Sequence, residues 1–257
     1  MNNQEQRQNE GQYIVSVLPK SGPMLSTCAR KYRDLRIHGM EESHGAVAGS
    51  YEVEKNLPIS HYEHLLSQPG RYVFAIVHDP QQRYKSTNDA LERGEWISLY
   101  HLRGPIPLTD WTWPNVGGLR SDNEETRWHI FSFYVKPEHR KGGTLTKTMH
   151  SVRTKFCTDY TRRLFGAKAK RDGRKVLYMR QRCSLANHNR SVEKLYRKFD
   201  WHVAGFVTME EGQKSCENGY EPQWKEEDHA ECAVMEHLSK IDVEGGGEEV
   251  RAVQARL

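Results

Sequence analysis

The sequence predicts an α/β fold: a mixed, mostly antiparallel sheet with helices packed against it. Three observations point there. Short runs rich in β-branched and aromatic residues alternate with stretches of helical periodicity. Two of the runs, RYVFAIVHD (71–79) and EWISLYHLR (95–103), are joined by a polar, turn-rich segment and read as an antiparallel pair. WHIFSFYV (128–135) is followed by a helical stretch and then KVLYMRQRCSL (175–185), a strand–helix–strand unit that implies parallel neighbours.

Each element has its own signal. QYIVSVL (12–18) is a first strand, and Leu25, Cys28, Tyr32, Leu35 and Ile37 give residues 25–38 helical spacing. A short helix is expected over 60–67, with Ser60 as N-cap. Pro, Gly, Asn and Asp cluster in 104–126, which reads as a long connection of the kind that often carries function. WHIFSFYV is almost wholly apolar, as a strand buried on both faces should be. Leu145, Met149, Val152, Phe156, Tyr160 and Leu164 then share one helical face, and Gly166 is the expected stop of that helix. NRSVEKLYRKF (189–199) predicts a short helix capped by Asn189, with Val192, Leu195, Tyr196 and Phe199 inward. WHVAGFVTM (201–209) and ECAVMEHL (231–238) are the closing strands, with a polar insertion between them. Low apolar content predicts disorder in residues 1–10 and a flexible tail over 239–257, leaving one domain over 11–238.

Composition narrows the function classes. Five separated cysteines without a CxxC pair read as reduced thiols of a cytoplasmic protein. MNNQEQRQNEGQ lacks the apolar core of a signal peptide, and no run approaches a membrane span, so no membrane partner is expected. His38, His44, His61 and His64 cluster, but no further ligands stand at a recognisable metal spacing, so no metal is expected. The net charge of +4 conceals a basic middle: residues 136–200 hold 19 Lys/Arg against 5 Asp/Glu. Such a segment is either a solvated face or the seat of an anionic partner.

The most informative stretch is YVKPEHRKGGTLTKTMHSV (134–152). Adjacent glycines between a strand and a helix allow close backbone approach, and a helix N-terminus offers unpaired N–H groups and partial positive charge. Arg140 and Lys141 add to this, so the loop suits a phosphate or pyrophosphate. It is neither GxxxxGK[ST] nor GxGxxG. Alone, it could equally be a tight strand-to-helix connection.

Val135-x-Pro137-x-x-Arg140-x-x-Gly143 resembles the coenzyme A loop of the GNAT acetyltransferase superfamily. Leu145 stands where that pattern has Gly or Ala, and Gly142 is an additional glycine. Asn189, followed by Leu195-Tyr196-x-Lys198-x-x-Trp201, is similar to the family's second signature, with Asp200 replacing Gly and Trp201 replacing Phe. Residues 35–54 bear a weaker likeness to an N-terminal segment of small-molecule members.

The resemblance implies a sheet splayed between strands 128–136 and 175–184, helices on both faces, and acetyl-CoA in the opening. It implies that Phe133, Tyr134 and Val135 pair with the pantetheine arm. Arg140, Lys141, Gly142, Gly143, Thr144 and Leu145 would hold the pyrophosphate, and the basic middle would draw the phosphates in. Tyr196 would give the departing thiolate its proton, since a phenol (pKa about 10, against about 8.5 for a thiol) holds its proton at neutral pH and has it available for transfer. Tyr196 also lies on the apolar face of its helix, where packing alone would put it. Asn189 could touch the cofactor, cap the helix, or do both. Glu54, Glu52 and His129 are candidates for the general base, with a water chain as the alternative. Trp111 and Trp113 could line an acceptor pocket or cover the core.

The reaction implied is acetyl transfer from acetyl-CoA to an amine by direct attack in a ternary complex. The expected acceptor is a small molecule, its pocket shaped by the loops 104–126 and 210–230, and the expected state is a monomer or homodimer. Asp122, Glu124 and Glu125 leave open a basic protein acceptor. A non-catalytic domain binding coenzyme A or RNA is the remaining alternative. No RRM or KH signature is present, and no nucleic-acid partner is expected.

Overall fold

In a computed structural model the described residues are 13–42, 50–115, 117–140, 143–186, 189–214, 231–244 and 255–256. Along the chain run β1 (Tyr13–Val17), α1 (Met24–Glu42), α2 (Tyr51–Glu54), α3 (Ile59–Ser67), β2 (Arg71–His78), α4 (Thr87–Arg93) and β3 (Glu95–Arg103). There follow β4 (Glu125–Val135), α5 (Thr144–Arg171), β5 (Val176–Ala186), α6 (Arg190–Arg197), β6 (His202–Thr208), α7 (Met209–Lys214), β7 (Glu231–Asp242) and β8 (Ala255–Arg256). The chain divides into two compact units: Met1–His101 with Ser132–Phe156 and Glu249–Leu257, and Leu102–Phe131 with Cys157–Glu248.

In the first unit β3, β2, β1 and β8 are successive neighbours, and β1 is antiparallel to β2 from Tyr13↔His78 to Val17↔Phe74. Helices α1, α3 and α4 pack on these strands through Tyr32, Leu35, Tyr62, Leu65 and Leu91. Helix α4 falls in the segment expected to be only a turn. It is seven residues long, and Ser86 caps it by accepting from the Asp89 amide at 3.1 Å. Helix α3 begins as expected, but Pro58 rather than Ser60 occupies its N-cap.

In the second unit the order is β6, β7, β5, β4. β5 is antiparallel to β7 along its whole length and parallel to β4. The β4–β5 ladder runs from Glu125↔Tyr178 to His129↔Arg182, and β4 continues past it to Val135. A mixed, mostly antiparallel sheet with one parallel pair joined through a helix is the predicted fold class.

One face of the β4–β5–β7 ladder buries charge. Arg180 donates to Glu125 at 2.8 Å, to Glu236 on β7, and to the Gly118 carbonyl at 2.9 Å. Arg127 reaches Glu125 at 3.2 Å, Asp122 at 2.6 Å and the Arg120 carbonyl. The long connection after β3 is thus fastened down by side chains from the strands it covers.

Two boundaries and one facing residue differ from expectation. Gly166 does not stop α5; the helix continues to Arg171, where the Arg174 amide bonds the Ala169 carbonyl and the Gly173 amide that of Lys170. That is a Schellman closure, with Gly173 as its left-handed residue. Leu164, expected inward, is exposed, whereas Leu145, Met149, Val152 and Phe156 are buried. β7 extends to Asp242, so Ser239–Asp242 belong to a strand rather than to the tail.

Candidate functional site

The first signature forms a strand end, a tight turn and a helix start. The Lys136 amide bonds the Ile97 carbonyl, Pro137–His139 make a 3-10 turn, and the Arg140 amide closes onto Pro137. Gly143 has φ of +70°, which favours glycine, and its carbonyl accepts from Lys147 to begin α5. The amides of Thr144, Leu145 and Thr146 therefore have no acceptor within the helix, and no acidic side chain stands in its first turn. This end is arranged for an anion. Leu145 is 3% exposed, so its bulk enters the interior and does not crowd the turn. Lys141 and Gly142 lie outside the described residues.

Arg140 is employed differently from a free phosphate ligand. Its Nε donates to the Val135 carbonyl at 2.8 Å and its Nη2 to Glu42, at the end of α1, at 2.6 Å. It fastens the turn to the strand it leaves and to α1. Tyr134 and Val135 are buried and Phe133 half-buried, and the Tyr134 carbonyl accepts from Ser98 Oγ at 2.7 Å. Burial, with Glu42 adding to it, pushes the Tyr134 phenol up to about 12. In α1, Gly39 sits against the Tyr134 ring, where an added Cβ would stand 2.8 Å from Cδ2.

Upstream in β4, Ser132 has φ of +51°. A left-handed backbone costs an ordinary L-residue about 1–2 kcal/mol, and such strain concentrates at functional sites. The strand's alternation changes across it. Before Ser132 even residues face α5: Thr126 bonds Thr161, and Trp128 packs edge-on against Tyr160. After it the odd residue Phe133 takes that face, beside Tyr100, which stacks on Phe74, itself against Phe156. One residue of the strand is therefore supernumerary, as in a β-bulge.

Ser132 Oγ accepts from Arg36 Nη1 at 3.0 Å, and Arg36 in turn makes a bidentate pair with Glu54, with Nη2 at 2.5 Å. The Glu54 carbonyl accepts from Tyr62 Oη at 2.9 Å. A hydrogen bond to a charged donor is worth about 1.5–3 kcal/mol, enough to offset the strain at Ser132. Glu54, expected as a candidate base, thus has both carboxylate oxygens committed to Arg36. Glu52 is exposed and pairs with Lys55 at 2.5 Å.

In the second unit, His129 is fully buried, stacked on Phe131 and edge-on to Trp113. Burial, then the charges of Arg182 and Arg103, hold its imidazole well below the ordinary histidine range. It is neutral at pH 7 and only weakly basic. Arg182 lies 3.7 Å from the Trp111 ring centroid and 4.2 Å from that of Trp113, so both tryptophans cover a buried guanidinium.

The second signature forms α6 and its exit. Asn189 Oδ1 accepts from the Val192 amide at 3.3 Å, an N-cap. At the other end the Trp201 amide bonds the Tyr196 carbonyl and the Asp200 amide that of Arg197, with Asp200 at φ of +59°. This is again a Schellman closure, and it explains why a glycine is at home at position 200 and why Asp tolerates it. The Tyr196 and Trp201 rings meet at 4.8 Å, the apolar contact that accompanies such a closure. Val192, Leu195, Tyr196 and Phe199 are half-buried rather than fully inward.

The basic run is distributed along α5 rather than gathered at the turn. Lys168, Lys170 and Arg171 occupy its last turn, about 38–42 Å along the helix from Gly143 at 1.5 Å per residue. That is several Debye lengths of about 8 Å, so these cations are screened from an anion at the helix start. Arg162 meets Asp159 and the Asp242 carbonyl, and Arg174 meets Asp172 and the Asn123 carbonyl. Lys147, exposed one turn into α5, is a cation that the signature did not single out.

Among the described residues no three His, Cys, Asp or Glu side chains could hold a metal ion, and no helix is long and apolar enough to cross a membrane. Sequence reasoning missed Ser132 and Arg36. The signal available was a lone serine interrupting WHIFSFYV and an arginine amid the apolar positions of α1.

No family model matches the sequence, and no curated protein matches it. Solved structures do. An Arabidopsis thaliana NAA60 in complex with acetyl-CoA is 11% identical, covering 88% of this chain and 98% of its own, at a TM-score of 0.47. A spermidine N-acetyltransferase chimera from Vibrio cholerae SpeG and hSSAT is 13% identical over 90% and 96%, at 0.44. The ribosomal-protein-S18-alanine N-acetyltransferase of Escherichia coli is 11% identical over 93% and 99%, at 0.40. At such scores the functional reading comes from this chain's own residues.

Proposed function

We propose that the chain is an acetyl-CoA-dependent N-acetyltransferase of the GNAT type, acting on an amine of a small-molecule acceptor by direct attack. The observation that carries the reading is the local geometry of the first signature. Val135 ends a strand, Pro137–Arg140 turn the chain, and Gly143 opens α5 with amides unclaimed inside the helix. A pyrophosphate fits that end: its oxygens are acceptors, the amides are donors, and Leu145 is out of the way.

Acetyl-CoA, when bound, supplies a thioester carbonyl that a neutral amine can attack. The amides at the start of α5 hold the phosphates, and the Phe133–Val135 backbone, beyond the ladder with β5, receives the pantetheine arm as an added strand. Tyr196, in the second signature, carries a phenol, a group able to give a proton to a departing thiolate. Glu54 is tied to Arg36 and His129 is a weak base, so the proton that the attacking nitrogen loses on forming the amide passes to water. A small acceptor suits the fastened connection after β3, whose Gly118, Arg120 and Asp122 are pinned by Arg127 and Arg180 and cannot yield to an extended chain.

The test is a thermal shift with acetyl-CoA followed by thiol release across a panel of amines. Ligand at a hundredfold its Kd stabilises by about 2.7 kcal/mol, a rise of roughly 5–10 °C. No shift and no thiol release with any amine would sink the reading. Tyr196→Phe is expected to lower kcat while leaving acetyl-CoA affinity unchanged. Unaltered turnover would remove Tyr196 from the chemistry and leave it as the closure contact for Trp201.

A further inference from the structure

We propose that Arg36 and Glu54 form a positioning device that holds Ser132 in its left-handed conformation and so sets the direction of the Phe133–Val135 stretch. Part of this rests on the acetyltransferase reading, because that stretch is where the pantetheine arm is received. The structural part does not.

Ser132 occupies a backbone region that serine visits rarely, in the middle of a strand, at the point where the alternation of β4 changes. Such a conformation persists only where the surroundings over-determine it. Here Arg36 Nη1 donates to Ser132 Oγ, and Arg36 cannot swing away because Glu54 grips its Nε and Nη2. Glu54 is itself anchored, its carbonyl accepting from Tyr62 on α3. A chain of contacts therefore runs from α3 through α2 and α1 to one strained residue of β4. Arg36, Glu54 and Ser132 are all buried. A buried ion pair is weak evidence of added stability, since apolar side chains of similar volume often serve as well, so a pair aimed at a strained residue points to positioning. The arrangement also gives Glu54 work other than proton abstraction.

The test turns on glycine, which adopts φ of +51° without steric cost. In Arg36→Met/Glu54→Gln the hold is removed without leaving an unpaired buried charge. Hydrogen exchange of the amides over 131–135, measured without cofactor, is expected to rise, and kcat to fall about tenfold or more through misplacement. Adding Ser132→Gly to that double variant should restore both, whereas a merely structural loss in α1 and α2 would not be restored. A triple variant no better than the double, or a double variant indistinguishable from wild type, overturns the proposal.

Should the double variant fail to fold, Ser132→Val with the ion pair intact asks the same question. A β-branched residue resists the left-handed region, so exchange should rise and turnover fall, while Ser132→Gly alone stays near wild type. Equal behaviour of Val and Gly refutes the idea. If the wild-type protein neither binds acetyl-CoA nor turns over, the acetyltransferase reading falls, and the exchange data still judge the role of Arg36 and Glu54.

Discussion

Replacing Gly39 with alanine opposes two effects of known size. Within a helix, Gly→Ala stabilises by about 1 kcal/mol through backbone entropy. At this position the new Cβ would lie 2.8 Å from Tyr134 Cδ2 and 2.9 Å from Cγ, in the rigid inner part of a buried ring. Overpacking of that kind costs about 1–3 kcal/mol. The net expectation is a loss of roughly 1 kcal/mol, read as a fall in Tm of about 2–4 °C. Urea denaturation followed by circular dichroism should show a lower midpoint at unchanged slope. The clash has a second check: in a Tyr134→Leu background the same Gly39→Ala change should become stabilising, because the obstructing ring is gone. If Gly39→Ala alone raises the midpoint, as it would in an exposed helix, α1 does not press on the Tyr134 strand as described.

Leu145→Ala, which restores the small residue of the family pattern, is expected to cost about 2–4 kcal/mol of stability without tightening acetyl-CoA binding, as denaturation and calorimetry would show. Asp200→Gly should relieve the left-handed position after α6 and leave stability equal or up to about 1 kcal/mol higher; a clear loss by thermal melt would contradict the closure. Acid should weaken the fold from about pH 6.5 downward. His101 and His129 are buried and held neutral, so the unfolded chain takes up protons there that the folded chain does not. Stability then falls with falling pH by about 1.4 kcal/mol per unit for each histidine, and His129→Gln should reduce that slope in melts between pH 6.5 and 5.

The strand before Pro137 and the helix after the glycines were legible because proline fixes its own φ and glycine admits the left-handed turn that opens the helix. Gly166 misled for the complementary reason. An interior glycine costs a helix only about 1 kcal/mol, and the packed face of α5 outweighs it. Helix α4 was hidden by its brevity. The Arg36–Glu54–Ser132 chain could not be read, since its members are 18 and 96 positions apart and meet only in the fold. His129 was legible as a candidate, but its neutrality depends first on burial and then on Arg182 and Arg103, none of which the sequence shows.

The contacts of Arg180 have a consequence for strand register. Parallel pairing of β4 with β5 joins residues separated by the whole of α5, the kind of distant contact that folds slowly and leaves time for wrong alignments. A slip of one residue would turn Arg180 to the other face, taking it from Glu236 and leaving Glu125 to Arg127 and Arg120. Each misaligned intermediate therefore carries a penalty that an apolar trio at these positions would not impose. The network is therefore expected to favour one strand alignment, and variants that replace all three members with apolar residues should fold with more misregistered by-products even where their final stability is unimpaired.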